Sequence, residues 1–163
     1  MPIRSSLATS DLTRSLWPVL VFSALLAGCA TAPRTPRVTG VNTGRAVATV
    51  AKGLVGTPYR FGGSDDRGFD CSGLAVYAYE MAGIVIPRTA AEQARAARPV
   101  PLRDLLPGDL LFFRIHSRHI DHVSIYVGRG RFVHAPHAGA LVSYGSLRGR
   151  FYRQHLIRAG RFR

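Results

Sequence analysis

Cysteine is scarce in this chain, and its scarcity limits how the fold can be stabilised. The 163 residues include two cysteines, Cys29 and Cys71. If Cys29 is modified in the mature protein, as argued below, Cys71 has no partner and no internal disulfide can form. A free thiol in an oxidising compartment is a liability unless it is buried or used. Cys71 is therefore either an inert core residue or a reactive one.

No apolar run is long enough to span a bilayer. The longest, Leu16–Ala27, has 12 residues, whereas a spanning helix needs about 20. It follows the positive charges of Arg4 and Arg14 and ends in Leu-Ala-Gly-Cys at residues 26–29. This order is typical of an export signal, and its end resembles the bacterial lipobox. We predict a lipoprotein signal peptide over residues 1–28 and lipidation of Cys29, with a plain secretory signal as the alternative.

The predicted lipid sets the expected location. Several acyl chains on Cys29 would hold the protein stably on a membrane. Ala30 follows, and by resemblance to known sorting rules the lack of aspartate there favours the periplasmic face of the outer membrane of a Gram-negative bacterium. Residues 29–44 are rich in Thr, Pro, Gly and Arg without an apolar period, so they are predicted to be a lipidated tether. A single folded domain is predicted over residues 45–163.

Acidic residues and lysine are also scarce. The chain has nine acidic and 22 basic residues, which gives a net charge of +13. All of the basic residues except Lys52 are arginine. Such a balance favours an anionic partner, although scattered arginines also suit an ordinary soluble surface. The sequence contains no zinc-finger spacing and no aromatic RNA-binding signature. We expect a monomer that does not bind nucleic acid.

Three helices are predicted in the first part of the domain. Arg45–Val55 has helical spacing, and Gly56–Gly63 forms a loop. In Cys71–Ala82 the small apolar residues share one stripe, with Asp70 as the N-cap and Gly83 as the stop. A third helix covers Thr89–Ala97, where Thr89 and Glu92 have capping-box spacing.

Strands are predicted to follow Pro107-Gly108. Short runs rich in Val, Ile, Phe and Tyr are separated by Gly, Pro or Arg, as in an antiparallel sheet. These runs are Asp109–Phe113, His122–Val127, Arg131–Ala135, Ala140–Tyr144 and His155–Ala159. Helices first and strands second predict an α+β fold, with the N-terminal helices packed on an antiparallel β-sheet.

Cys71 lies where a helix could activate it. Its position in a first helical turn exposes it to unpaired N–H groups that favour a thiolate, so its pKa is expected to fall. The other requirement is a histidine supplied by the fold. Pairing Val127 with Arg131 in a hairpin would place His122 diagonal to His134 on one sheet face. His122 could then act as a base that His134 orients.

A series of motifs resembles the NlpC/P60 cysteine peptidases. The motifs are Gly56-Thr-Pro-Tyr-Arg-Phe-Gly-Gly63, Phe69-Asp-Cys-Ser-Gly73, Pro87-Arg-Thr-Ala90, Pro107-Gly-Asp-Leu110, His122-Val-Ser-Ile-Tyr-Val-Gly128 and Phe132-Val-His-Ala-Pro136. The resemblance covers residues 45–163. It implies a reduced papain-like fold and hydrolysis of peptide bonds in peptidoglycan stem peptides or cross-links, without a cofactor.

The resemblance also implies the roles of individual residues. Cys71 corresponds to the nucleophile, His122 to the general base and His134 to the orienting residue. Tyr59 corresponds to a tyrosine near the oxyanion. Substrate contacts are implied for three more residues, Asp70, Ser72 and Arg88. Many relatives have a separate wall-binding domain, and we expect none besides the domain at residues 45–163.

Several alternatives stay open at the level of sequence. His116, His119 and His122 recur at spacings of three and could bind zinc, although the segment leads into a strand and lacks a cysteine pair. We expect no metal, with His116 and His119 in a loop beside the cleft. The protein could also be a catalytically idle peptidoglycan-binding lipoprotein, or a related amidase or acyltransferase. The bond cut is left undecided.

Overall fold

The computed structural model of the chain describes residues 40–163. The predicted signal segment, Cys29 and residues 29–39 of the predicted tether lie outside the described residues. The helices are α1 (Gly40–Gly53), α2 (Cys71–Glu80), α3 (Ala90–Ala96) and α4 (Arg150–His155). The strands are β1 (Ser64–Asp65), β2 (Gly68–Phe69), β3 (Arg98–Val100), β4 (Leu110–Phe113), β5 (His122–Gly128), β6 (Arg131–His134), β7 (Ser143–Ser146) and β8 (Leu156–Arg161).

A six-stranded antiparallel sheet is the centre of the domain. Its strand order is β3-β8-β4-β5-β6-β7, while β1 and β2 form a separate two-stranded ribbon. Helices α1 and α2 pack against β5. Alternate residues of the central strands face opposite ways: Val123 and Ile125 join the helices in one hydrophobic cluster, and Phe113 and Phe132 join Tyr152 in another. Both faces of the central strands are therefore covered.

The start of α2 is built by its own sequence. Asp70 caps the helix, because its carboxylate accepts a hydrogen bond of 2.6 Å from the backbone N–H of Gly73. Gly73 is required at this point, since a Cβ there would lie 2.0 Å from the carbonyl oxygen of Gly63. At the other end, Gly83 adopts φ +79° just beyond the helix. The predicted N-cap of α2 is confirmed, but the helix ends at Glu80, two residues before the predicted end at Ala82, and a turn leads to Gly83.

Helix α1 begins earlier than the sequence predicts. The prediction ends the tether at Gly44 and starts the helix at Arg45, whereas the structure starts it at Gly40. Gly44, the last residue of the predicted tether, lies inside the helix and permits close packing. A Cβ at Gly44 would lie 2.5 Å from the carbonyl oxygen of Pro107.

The β5–β6 hairpin follows the predicted register except at its turn. Arg131 pairs with Gly128 rather than with Val127, and the register shifts between Tyr126 and Gly128. The turn residues Arg129 and Gly130 adopt φ values of +56° and +74°, as a two-residue I′ turn requires. Beyond the shift, Ile125 pairs with Val133, which is the predicted register.

The remaining elements show where the sequence-based prediction was incomplete. The ribbon β1–β2, strand β3 and helix α4 were not predicted. The fourth predicted strand lies three residues further on, as β7. Helix α3 has the predicted capping box between Thr89 and Glu92. Within residues 40–163, no helix is long and apolar enough to cross a membrane.

Candidate active site

Cys71 is the first residue of α2, and its thiol meets the start of β5. The sulfur lies 4.0 Å from the carbonyl oxygen of Asp121, the residue before His122. Cys71 is partly exposed and is the only free cysteine among the described residues. Burial of the thiol raises its pKa, and the nearby backbone N–H groups of Val123 and Ser72 offset this only in part. The expectation that the helix N-terminus lowers the pKa is thus wrong for the resting thiol, because desolvation outweighs the N–H groups.

The two predicted histidines form a direct pair. Nε2 of His122 lies 2.9 Å from Nδ1 of His134, and the side chains are 5% and 3% exposed. Burial, reinforced by the charge of His134, lowers the pKa of His122 to about 3. Burial, with a smaller contribution from His137, lowers the pKa of His134 to about 4. Both rings are therefore neutral at neutral pH, and one must donate to the other.

An aromatic wall that the sequence did not reveal encloses His134. The rings of Phe132 and Tyr152 lie edge-on to the imidazole, both with centroids 5.3 Å away. The Tyr152 hydroxyl lies 3.3 Å from Nε2 of His134. Tyr152 belongs to α4, whose six residues are too short to show a helical period. No sequence signal pointed to it apart from its aromatic character.

Asp70, Ser72 and Arg88 form one polar network beside the thiol. Arg88 donates to both oxygens of Asp70, at 3.0 and 2.7 Å, and to the Ser72 hydroxyl at 2.8 Å. Burial acts to raise the pKa of Asp70, but the hydrogen bonds and charge of Arg88, together with the Gly73 N–H, outweigh it and lower the pKa. Arg88 lines the groove, yet its guanidinium is already paired with a carboxylate. Arg88 thus positions Asp70, and because its side chain is still 40% exposed, the predicted substrate contact stays a prediction.

Tyr59 lines the same groove as this network. Its backbone N–H donates to the carbonyl of Ala140 at 2.9 Å, which fixes the loop before β1. Burial raises the pKa of its hydroxyl, and negative charge on Cys71 or Asp70 would raise it further. The hydroxyl therefore stays protonated at neutral pH and can donate a hydrogen bond.

An open groove of about 550 Å³ gives access to the thiol. Its lining includes the predicted Tyr59, Asp70, Cys71, Ser72 and Arg88, together with Phe61, Ile120 and Asp121. Phe61 is 91% exposed at this groove, a position that sequence reasoning did not single out. His116 and His119 lie in the loop that leads to Ile120, as predicted. A separate cavity of about 280 Å³, next to the Asp109–Arg161 ion pair, contains no cysteine or histidine.

Comparison with known proteins identifies the domain. Residues 56–161 match the family model described as NlpC/P60 family. The chain belongs to the NlpC/P60 family. The matched residues include all seven predicted site residues of the catalytic domain, so the resemblance stated from the motifs is confirmed.

Individual relatives of this NlpC/P60 domain include named endopeptidases. It is 46% identical over 112 residues to the murein DD-endopeptidase MepH of Escherichia coli, covering 66% of this chain and 41% of the relative. It is 40% identical over 111 residues to the bifunctional muramidase/DL-endopeptidase CwlT of Bacillus subtilis, covering 66% of this chain and 33% of the relative. The chain thus spans less than half the length of these curated relatives.

A solved structure confirms the fold. The crystal structure of the NlpC/p60 domain of the peptidoglycan hydrolase SagA superimposes with a TM-score of 0.63 at 33% identity, covering 73% of this chain and 98% of that chain. The predicted α+β, papain-like architecture is therefore correct. In this NlpC/P60 domain, residues 40–163 contain no group of three or more His, Cys, Asp or Glu side chains that could hold a metal ion. The zinc interpretation of the spaced histidines has no structural support.

Proposed function

We propose that this protein is a cysteine peptidase that cleaves peptide bonds in peptidoglycan stem peptides or cross-links. One observation carries the proposal: Cys71 opens into a groove and lies beside the start of β5, where His122 is hydrogen-bonded to His134. A nucleophile, a base and a group that orients the base are the parts that acyl transfer requires. The relatives named as murein and DL-endopeptidases support the choice of substrate.

The proposed reaction begins from an uncharged pair. Because burial opposes both a thiolate on Cys71 and an imidazolium on His122, the proton moves from sulfur to ring as the sulfur attacks the substrate carbonyl. The C–N bond then breaks, and His122 gives the proton to the leaving amine. Water, deprotonated by the same ring, attacks the thioester carbonyl. The C–S bond then breaks, the ring returns the proton to the sulfur of Cys71, and the acid product leaves and ionises in solution. His134 holds the His122 ring in place throughout.

Negative charge develops on the carbonyl oxygen of the substrate during the attack, and hydrogen-bond donors are needed to stabilise it. The Tyr59 hydroxyl and the first N–H groups of α2 lie at the groove and serve this purpose in the proposal. The Gly73 N–H is not among them, because Asp70 already accepts it. The Asp70–Ser72–Arg88 network fixes the wall of the groove against which the peptide lies.

Digestion of purified sacculi tests the proposal. Wild-type protein should release muropeptides that carry one new amine and one new carboxylate, as read by mass spectrometry. Cys71→Ser should release none above background. New termini within a stem indicate a DL-type cut, and new termini between stems indicate a cut in the cross-link. Transfer of an acyl group without hydrolysis would instead indicate an acyltransferase, and intact sacculi with wild-type protein would remove the proposal.

We propose that the enzyme acts outside the cytoplasm, held by lipid on Cys29. The order of charge, apolar run and Leu-Ala-Gly-Cys supports this part of the proposal. The cell-wall relatives are consistent with an extracytoplasmic location. The net charge of +13 suits both the carboxylates of stem peptides and an acidic membrane surface.

A further inference from the structure

Tyr152 is the one described side chain that hydrogen-bonds to His134 from the side away from His122. Its hydroxyl lies 3.3 Å from Nε2 of His134, and Nδ1 of the same ring lies 2.9 Å from Nε2 of His122. Three polar groups therefore form a chain from the helix α4 to the proposed base. The Tyr152 ring is fixed by Phe132 and Phe113, with centroids 4.9 and 5.8 Å away.

The direction of this chain decides whether His122 can act as a base. When both rings are neutral, each carries one N–H. If Tyr152 accepts the Nε2–H of His134, then Nδ1 of His134 is bare and accepts the Nε2–H of His122. Nδ1 of His122 is then bare and can take a proton. If Tyr152 instead donates to Nε2 of His134, then His134 carries its hydrogen on Nδ1 and donates it to Nε2 of His122. His122 then carries its own hydrogen on Nδ1 and cannot take a proton there.

The surroundings of Tyr152 favour the acceptor role. Both histidines are neutral at neutral pH, so charge does not fix the direction in which the hydrogen bonds of the chain run. Tyr152 is only partly buried, and its hydroxyl hydrogen can go to solvent while its oxygen accepts from His134. A fully buried tyrosine would have to give its hydrogen to the imidazole.

We propose that Tyr152 is a positioning residue whose hydroxyl oxygen accepts the Nε2–H of His134 and so leaves Nδ1 of His122 free to take the proton of Cys71. This role rests on the proposed function for its catalytic consequence. The tautomer that it requires can be measured without any substrate. When His122 gains the thiol proton, the same chain holds the imidazolium, because each N–H already points towards an acceptor.

The variant Tyr152→Phe removes the hydroxyl and keeps the ring that packs on Phe132. We expect kcat/KM on sacculi to fall by about three- to tenfold, the worth of one hydrogen bond, with the loss in kcat rather than KM. Alkylation of Cys71 by iodoacetamide at neutral pH should slow by a similar factor. Tyr144→Phe is the matched control, because Tyr144 lies on β7 and is 42% exposed; it should behave as the wild type in both assays.

Nitrogen NMR of the two imidazoles reads the tautomers directly. At neutral pH, wild-type protein should show His134 and His122 both protonated on Nε2, and Tyr152→Phe should show His134 as a mixture. His134 protonated on Nδ1 in the wild type would overturn the inference, as would an active Tyr152→Phe protein with unchanged tautomers, alkylation and kcat. Sacculi left intact by a wild-type protein with the expected tautomers would refute the proposed function and leave the positioning by Tyr152 standing.

Discussion

At the scale of single residues, burial rather than charge dominates the site. Desolvation raises the pKa of Cys71 and lowers the pKa of both histidines. The resting site is therefore a thiol beside two neutral imidazoles. Such a site depends on the direction of its hydrogen bonds, since no ion pair between Cys71 and His122 exists to hold the parts in place before substrate binds.

The same burial predicts how stability depends on pH. Unfolding returns both histidines to an ordinary pKa of 6.5, whereas in the fold these values are about 3 and about 4. At pH values between the folded and the unfolded pKa, the unfolded chain binds more protons than the folded protein. The free energy of unfolding should therefore decrease as pH falls from about 6.5 towards 4. At about 1.4 kcal/mol per pKa unit, the contribution of the pair over this range is on the order of 6 kcal/mol. Above pH 6.5 it should be constant.

Urea unfolding at several pH values measures this effect. The variant His134→Gln should have a shallower slope between pH 6.5 and 4 than the wild type. His119→Gln, at an exposed loop position, should keep the wild-type slope. An equal slope for wild type and His134→Gln would show that the histidines are not buried in the neutral form.

At the scale of elements, the first turn of α2 positions the nucleophile. Its location is set by the Asp70 cap and by the close approach of Gly73 to the carbonyl of Gly63. Arg88 adds a bidentate ion pair that ties the cap to the loop before α3. Helix, cap and loop thus form one unit, and a shift in any of them moves Cys71.

Gly73→Ala should therefore damage both stability and activity. The added Cβ would meet the backbone oxygen of Gly63 at 2.0 Å, and neither backbone segment can move without disturbing the cap. We expect a loss of about 2–3 kcal/mol in the free energy of unfolding and a large loss of activity on sacculi.

Gly53→Ala is the matched control. Gly53 ends α1, and a Cβ there has nothing within 4 Å. The substitution should leave activity unchanged and stabilise the protein by up to about 1 kcal/mol. Similar stability for the two variants would contradict the close approach at Gly73.

At the scale of the whole molecule, we propose an enzyme whose active site opens into a groove and whose N-terminal lipid anchors it to a membrane. If Cys29 carries the lipid, the variant Cys29→Ala should move from the membrane fraction to the soluble extracytoplasmic fraction and should lose labelling by a radioactive fatty acid. Its activity on purified sacculi should equal that of the wild type, because the site lies within residues 59–152. Retention of label by Cys29→Ala would rule out lipidation at this cysteine.

Much of this arrangement could be predicted from local sequence. Asp70 and Gly83 mark the limits of α2 because capping and left-handed glycine are properties of a few neighbouring residues. The two short runs around Gly128 predicted a hairpin with His122 and His134 on one sheet face. The predicted pairing of the two histidines is confirmed by their 2.9 Å contact, while the roles implied by the motif series stay predictions.

The missed features depend on packing between distant parts of the chain. Residues 40–44 were assigned to the tether because they show no apolar period, and the sequence gives no sign that Gly44 packs against Pro107. Helix α4 is too short to have a period, and its Tyr152 gains importance only where the sheet brings His134 to it. The raised pKa of Cys71 likewise results from the enclosure of the thiol by the fold, which the helix start alone does not reveal.

The central claim is that His122 and His134 act on Cys71 as one unit, and a comparison of single and double variants tests it most directly. The measurement is the rate of muropeptide release from sacculi by His122→Ala, His134→Ala and the double variant. We predict that His122→Ala lowers the rate by at least about a hundredfold, and that the double variant is no slower than His122→Ala, since an orienting residue has no role without its base. A His122→Ala protein with near wild-type activity, or fully additive losses in the double variant, would contradict this account.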